Sequence, residues 1–374
     1  MNHHLLLLLV FSSLGVGSTA TAQDHWWRGN THVHTELCGH ADSTPEAVAR
    51  WYLDHGYHFL VLSEHDRFID PANVVLPKPR RPDFILIPGE EISRTSVHMT
   101  ALNIRELVDG QAKGTPTEII QAQSDDTRKV GGIPIINHPN WQWALKDSDI
   151  RPVKRCYLFE LYNGHPGVKN AGDSSHPSTE SLWDSLLNDG MVIYGVSSDD
   201  AHHFKTIDHQ HSNPGRGWVM VRAPELSPNA IEAALERGDF YASSGVFLSE
   251  VSADPKEYRL AVDRPRTEAE LAAGAIVPRI VPASEAASTA VGWRIDFIGP
   301  GGVVVRSLAK ESASCPRDAS RSYLRARVTF TRQAAEHLEQ VSAWTQPVFE
   351  DDRLKKVEIE AVRPGWARGK PSAR

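Results

Sequence analysis

Seven times along this 374-residue chain, a short apolar run ends on or beside a residue that can bind a metal ion. "WWRGNTHVH" ends on His32 and His34, "FLVLSEH" on Glu64 and His65, and "FILIPGEE" on Glu90 and Glu91. "SVHMTALNI" carries His98 and "IPIINHP" carries His138. "FELYNGH" holds Glu160, Asn163 and His165, and "VIYGVSSDDAHH" holds Asp199, Asp200, His202 and His203. The runs are short and rich in Val, Ile, Leu and Phe, the pattern of strands buried on both faces. Helical segments fall between several of them, which predicts an α/β fold. The polar groups lie at the C-terminal ends of the expected strands. In a β/α barrel those ends form one rim, and the active site is built there.

Start and stop signals place the helices. Thr44-Pro45 is an N-cap followed by Pro at the first helical position, and the helix it opens runs to Gly56. Thr115 or Thr117 caps a second, ended by Gly131-Gly132. Two more run from about Ser178 to Gly190 and from Ser227 to Gly238. After Phe247 the character changes to short strands with a turn at Gly299-Pro300-Gly301-Gly302, and His337 is the one histidine there. These signals predict a barrel over residues 23–246, a small antiparallel β-sandwich over 247–350, and a polar tail over 351–374. Residues 264–290 read as a loop or an insertion.

At the N-terminus, Leu5 to Val16 are apolar but too few to span a bilayer, and Ala20-Thr21-Ala22 offers a small-x-small cleavage site. Residues 1–22 are therefore expected to be a signal peptide. The mature protein is expected to be exported, periplasmic or secreted, with no membrane span. Its three cysteines, Cys38, Cys156 and Cys315, allow one disulfide at most, so stability must come from the core. The net charge of −7 provides no basic field for nucleic acid.

The 18 histidines match the 8 Tyr and 10 Trp together, and histidine is the commonest metal ligand. On a strand, H-x-H points both rings to one face, so His32 and His34 can share one ion. In "GVSSDDAHH" a D-x-H sets an anionic and a neutral ligand side by side. Within pairs the pattern leaves alternatives: Glu90 or Glu91, Asp199 or Asp200, His40 or Asp42.

"NTHVHT", "LSEHD", "IPGEEIS", "NHP" and "SSDDAHH", in this order, resemble the motifs of the polymerase-and-histidinol-phosphatase (PHP) superfamily. The resemblance covers roughly residues 26–250. It implies a distorted seven-stranded, TIM-like β/α barrel holding two or three divalent transition metals. Carried over, it gives His32, His34, Glu91 and Asp200 to the first metal. Glu91 would bridge to a second held by His98 and His138, and His40, His65 and His202 would hold a third. The chain departs from the family at Ser63-Glu64-His65, where many members have "TDH", and at "CGHAD", where many have "SDG". Seven imidazoles and two carboxylates favour zinc, manganese or iron over magnesium and calcium.

The expected activity is metal-dependent hydrolysis of a small-molecule phosphomonoester or phosphodiester, with a metal-bridging hydroxide and no protein nucleophile. "GRGWVMVRAPELSPNAIEAALERGDFYASSG" and "AWTQPVF" resemble an exported branch that includes carbaryl-hydrolase-like proteins, so a carbamate or carboxyl ester is the alternative. A non-catalytic glycan- or protein-binding module is a third reading, which has no need of nine ligands at strand ends. Asn163 would orient substrate or serve as a turn residue. Arg216 would clamp an anionic oxygen or lie on the surface. Trp141 and Trp143 would wall a pocket or pack in the core, and Cys38 is read as a space-filler. His25, His55, His58, His176, His209, His211 and His337 are left outside the site.

Overall fold

The computed structural model describes residues 25–76, 83–110 and 113–354. The expected signal peptide, and the tail beyond 354, lie outside the described residues. The strands are β1 (His25–Asn30), β2 (Phe59–Leu62), β3 (Ile85–Ile92), β4 (Met99–Leu102), β5 (Ile133–Ile136), β6 (Leu158–Asn163), β7 (Tyr194–Ser198), β8 (Trp218–Ala223) and β9 (Phe240–Ser243). Beyond these come β10 (Leu248–Ala253), β11 (Glu257–Val262), β12 (Arg279–Ile280), β13 (Gly292–Gly299), β14 (Val303–Leu308), β15 (Ser312–Pro316), β16 (Tyr323–Ala334), β17 (His337–Thr345) and β18 (Val348–Phe349). The helices are α1 (Pro45–Asp54), α2 (Pro116–Lys129), α3 (Asp147–Ile150), α4 (Thr179–Asn188), α5 (Pro228–Arg237), α6 (Arg264–Ala272) and α7 (Ala283–Ala286).

The four expected helices start where side chains satisfy the free amides of a first turn. Thr44 accepts from Ala47 N before α1, and Ser178 and Ser227 do the same before α4 and α5. Thr115, not Thr117, caps α2, in a capping box with Glu118. At the end of α5, Gly238 takes the left-handed conformation with φ 74°, which favours glycine.

The sheet is mixed, whereas the apolar runs predict a parallel one. Strands β1, β2 and β3 are parallel neighbours, as are β5, β6 and β7. Strand β4 runs antiparallel between β3 and β5, and β8 runs antiparallel to β1. The cause at β4 is the short link: residues 93–98 join it to β3, too few for the crossover a parallel neighbour needs. His98 therefore sits just before its strand, not at its C-terminal end. Because that strand is reversed, His98 still reaches the rim shared by the others.

Past Ser198 the chain returns to the first strand. Val33 and Ala201 form a parallel bridge, with His34 N donating to Ala201 O and Asp200 N to His32 O, both at 3.0 Å. The sheet thus curls until the segments following its first and seventh strands meet.

The C-terminal strands continue this sheet, since β17 pairs antiparallel with β9 and leads on through β16, β13 and β14. Strands β10, β11 and β15 form a separate three-stranded sheet, and the Tyr258 ring lies 6.2 Å from that of Phe297 on β13. Residues 264–290 hold α6 and α7 where a loop is expected. Asp263 caps α6, Pro265 lies in its first turn, and Thr267 and Leu271 are buried. From α6, Glu270 reaches the buried Arg28 on β1 at 2.7 Å. The Arg28 guanidinium carbon lies 4.0 Å from the Tyr57 ring centre and 3.9 Å from that of Trp218, so cation–π contact accompanies the ion pair.

Candidate metal centre

Strand β1 ends at Asn30, and the extended chain beyond it turns His32 and His34 to the same side. Their Nε2 atoms lie 3.0 Å apart. Glu91 Oε2 is 3.3 Å from each, and Asp200 Oδ1 is 3.5 Å from His32 and 3.3 Å from His34. Donor atoms about 2.0–2.1 Å from a common tetrahedral ion stand roughly 3.3–3.4 Å apart. The imidazoles therefore stand from each other and from both carboxylates at about the spacing of ligands to one ion. Glu91 Oε2 is buried and, with His65 Nδ1 also 2.9 Å away, stands among three imidazoles without a hydrogen bond of good geometry, the condition of an oxygen that needs a cation.

The other Glu91 oxygen faces two more rings. Oε1 is 3.2 Å from His98 Nδ1 and 3.1 Å from His138 Nε2, and Asn137 donates to it at 2.9 Å. One carboxylate thus joins two groups of imidazoles. A third group shares His34: one ligand atom each of His34, His65 and His202 fall within 4.8 Å of one another. His40 Nε2 stands 3.0 Å from His202 Nε2. Cys38, His40 and His202 form a further compact set, so the thiol read as a space-filler borders the third group.

Each alternative pair separates in space. Glu90 turns away from the cluster and accepts from Val108 N at 2.5 Å, and burial pushes its carboxyl up to about 7. Asp199 accepts from Asn30, Tyr52, Arg216 N and Gly217 N, and burial raises it to about 6. Asp42 accepts from the backbone of Phe204 and Lys205, bracing the loop that carries His202, while His40 faces the cluster. Asp200 adopts φ 48° and His138 φ 20°, conformations costly for residues with a Cβ and concentrated at functional sites.

Two carboxylates left without a role by the motif pattern support the ligands from behind. Glu160 on β6 contacts His32 Nδ1 at 2.8 Å and accepts from His138 N at 2.7 Å and from Ser198 Oγ. Glu64 contacts His34 Nδ1 at 3.3 Å and accepts from Thr35 N and Oγ1. Such contacts fix ring orientation and raise ligand basicity. Their signal is visible in the sequence, as a glutamate inside or directly after an apolar strand must have a partner. Burial alone would raise Glu64, but the bond and charge of His34 and the bonds from Thr35 draw it down to about 2. For His32, burial is outweighed by Asp200, Glu91 and Glu160, which hold the ring well above its ordinary value. The pocket's field therefore favours cations.

Three expectations meet a different geometry. Asn163 is engaged within the protein: its amide donates to Glu160 at 2.9 Å and to Asp200 at 3.1 Å, and its oxygen accepts from His165 N at 2.8 Å. Arg216 donates to the carbonyls of Asp208 and His211, so its guanidinium braces that loop. Trp141 stands half-buried beside the cluster, its ring 6.1 Å from His138 and 5.1 Å from His165, while Trp143 stacks on His176 at 4.0 Å. Neither tryptophan packs in the core.

No family model and no curated protein matches this chain. A solved structure from Bacteroides vulgatus, described as a two-domain protein containing a predicted PHP-like metal-dependent phosphoesterase, is similar at 15% identity and a TM-score of 0.40. The match covers 84% of this chain and 89% of that one. It is the side-chain geometry, not this likeness, that points to a metal centre. No helix among the described residues is long and apolar enough to cross a membrane.

Proposed function

We propose that the chain is an exported hydrolase of the PHP kind, holding two or three divalent transition metals (zinc, manganese or iron) and cleaving phosphomonoesters or phosphodiesters. We read its curled sheet as a distorted β/α barrel and the strands after residue 247 as a sandwich joined to its edge. The observation that carries the reading is the quartet of His32, His34, Glu91 and Asp200, in which the two imidazole Nε2 atoms lie 3.0 Å apart and 3.3–3.5 Å from the carboxylate oxygens. When bound, such cations lower the pKa of a coordinated water and neutralise charge gathering on an ester oxygen.

The protein's own groups set the geometry. Glu91 gives one oxygen to each of two imidazole groups. Glu160 and Glu64 hold His32 and His34 by Nδ1, leaving Nε2 directed inward. Asn163 ties Glu160 to Asp200, so ligands from different strands cannot drift independently. Arg216 favours a second reading, a carbamate or carboxyl ester, because its Nη2 is engaged by the carbonyls of Asp208 and His211.

The mature chain should contain at least two transition metals by elemental analysis. Adding back manganese, zinc or iron after chelation should restore turnover on a panel of aryl phosphate, bis-aryl phosphate, aryl ester and aryl carbamate. A metal-free protein with full activity would end the reading. Turnover confined to the ester or carbamate would transfer it to the second substrate class. His138→Ala should abolish hydrolysis with the fold retained by circular dichroism, and undiminished turnover would remove His138 from the site.

A further inference from the structure

Four histidines of the cluster share a polarity that His165 reverses. Nδ1 of His32 faces Glu160, that of His34 faces Glu64, that of His202 faces the Asp200 carbonyl at 3.1 Å, and that of His40 faces the Cys38 carbonyl at 3.3 Å. An oxygen acceptor at Nδ1 takes the ring proton there and leaves Nε2 as a lone pair for a metal. At His165, Gly167 N donates to Nδ1 at 3.0 Å. That nitrogen must therefore be the acceptor, and a neutral ring must carry its proton on Nε2.

We propose that His165 is a substrate-binding residue of this site, a neutral imidazole whose Nε2–H donates a hydrogen bond to the ester oxygen that gains negative charge during cleavage. This assignment rests on the hydrolase reading above. The ring stands 6.0 Å from the ring of His202 and meets Trp141 edge-on at 5.1 Å, half-buried at the edge of the cluster. Its backbone is anchored by Asn163, which is itself tied to Glu160 and Asp200. Gly167 is part of the arrangement, as a Cβ there would stand 2.4 Å from the Trp141 ring and 3.0 Å from His165 Nδ1. A neutral donor aimed at developing charge helps catalysis without transferring its proton.

The test compares the metal-loaded wild type with His165→Phe and His165→Gln. His165→Phe should retain the full metal content and lose about 10²–10³-fold in kcat with a smaller change in KM, the cost of one lost donor. His165→Gln, which still offers an N–H, should recover part of that loss. Nitrogen NMR of the loaded protein should show the proton on Nε2. A lost equivalent of metal in His165→Phe, a proton on Nδ1, or an unchanged kcat would each overturn the assignment. If the wild type cleaves nothing on the panel, the hydrolase reading falls separately. Inorganic phosphate titrated into the loaded wild type and His165→Phe then decides the donor: weaker binding to the variant supports it, and equal or absent binding overturns it.

Discussion

At the scale of single residues, the site depends on groups that touch no metal. Glu160→Gln keeps the size of the side chain but removes its charge and one of its two acceptor oxygens, Oε1 facing His32 and Ser198 and Oε2 facing His138 N and Asn163. Metal affinity should fall about 10- to 100-fold, read by competition with a chelator, the usual effect of losing such a support. An unchanged affinity would show that His32 needs no such support. The face of each ligand pair was not legible in the local pattern, although the family resemblance gave Glu91, Asp200 and His40. Adjacent residues on a strand point to opposite sides, so one member of Glu90-Glu91 must turn inward, but nothing local says which. Asn163 and Arg216 were harder still. What an amide or guanidinium bonds depends on partners from distant segments, here Glu160, Asp200 and the carbonyls of Asp208 and His211.

At the scale of elements, helix starts were legible because caps are local chemistry, and strand direction was not, because it depends on how the links between strands run. The helix α6 was missed because its apolar content is low and its purpose is tertiary: Glu270 neutralises Arg28 on β1. Arg28→Ala should destabilise the fold by about 3–5 kcal/mol, as expected when one partner of a buried ion pair is removed, measured by urea denaturation. A loss under about 1 kcal/mol would assign that contact a minor role. On α5, burial and the neighbouring Glu236 push the Glu232 carboxyl up to about 7, against the bond from Asn103. Its folded pKa lies above the unfolded value of 4.5, so the unfolded chain ionises first as pH rises. Stability should fall between about pH 4.5 and 7, by on the order of 2 kcal/mol from this group. Glu232→Gln should flatten that part of the profile of melting temperature against pH; an identical slope would place the effect elsewhere.

For the whole molecule, the division at residue 247 seen in composition is not a break in the sheet. Thr345, Trp344 and Ala343 on β17 pair with Tyr241, Ala242 and Ser243 on β9, and Arg325 on β16 meets Asp184 on α4 at 2.5 Å. A fragment ending at residue 246 should aggregate or melt without cooperativity, because it leaves a strand edge and a carboxylate unpartnered. A soluble fragment with a sharp transition would show that the first part folds alone. The meeting of Val33 with Ala201 has a consequence for rates. His32 and Asp200 flank that contact, and an ion held by both would clasp the chain's early and late segments together, as a rivet closes a hoop. Ion departure would then wait on the hoop springing open. Amide exchange at His34 and Asp200, slow in the loaded protein, should quicken on chelation with the same time constant as metal release.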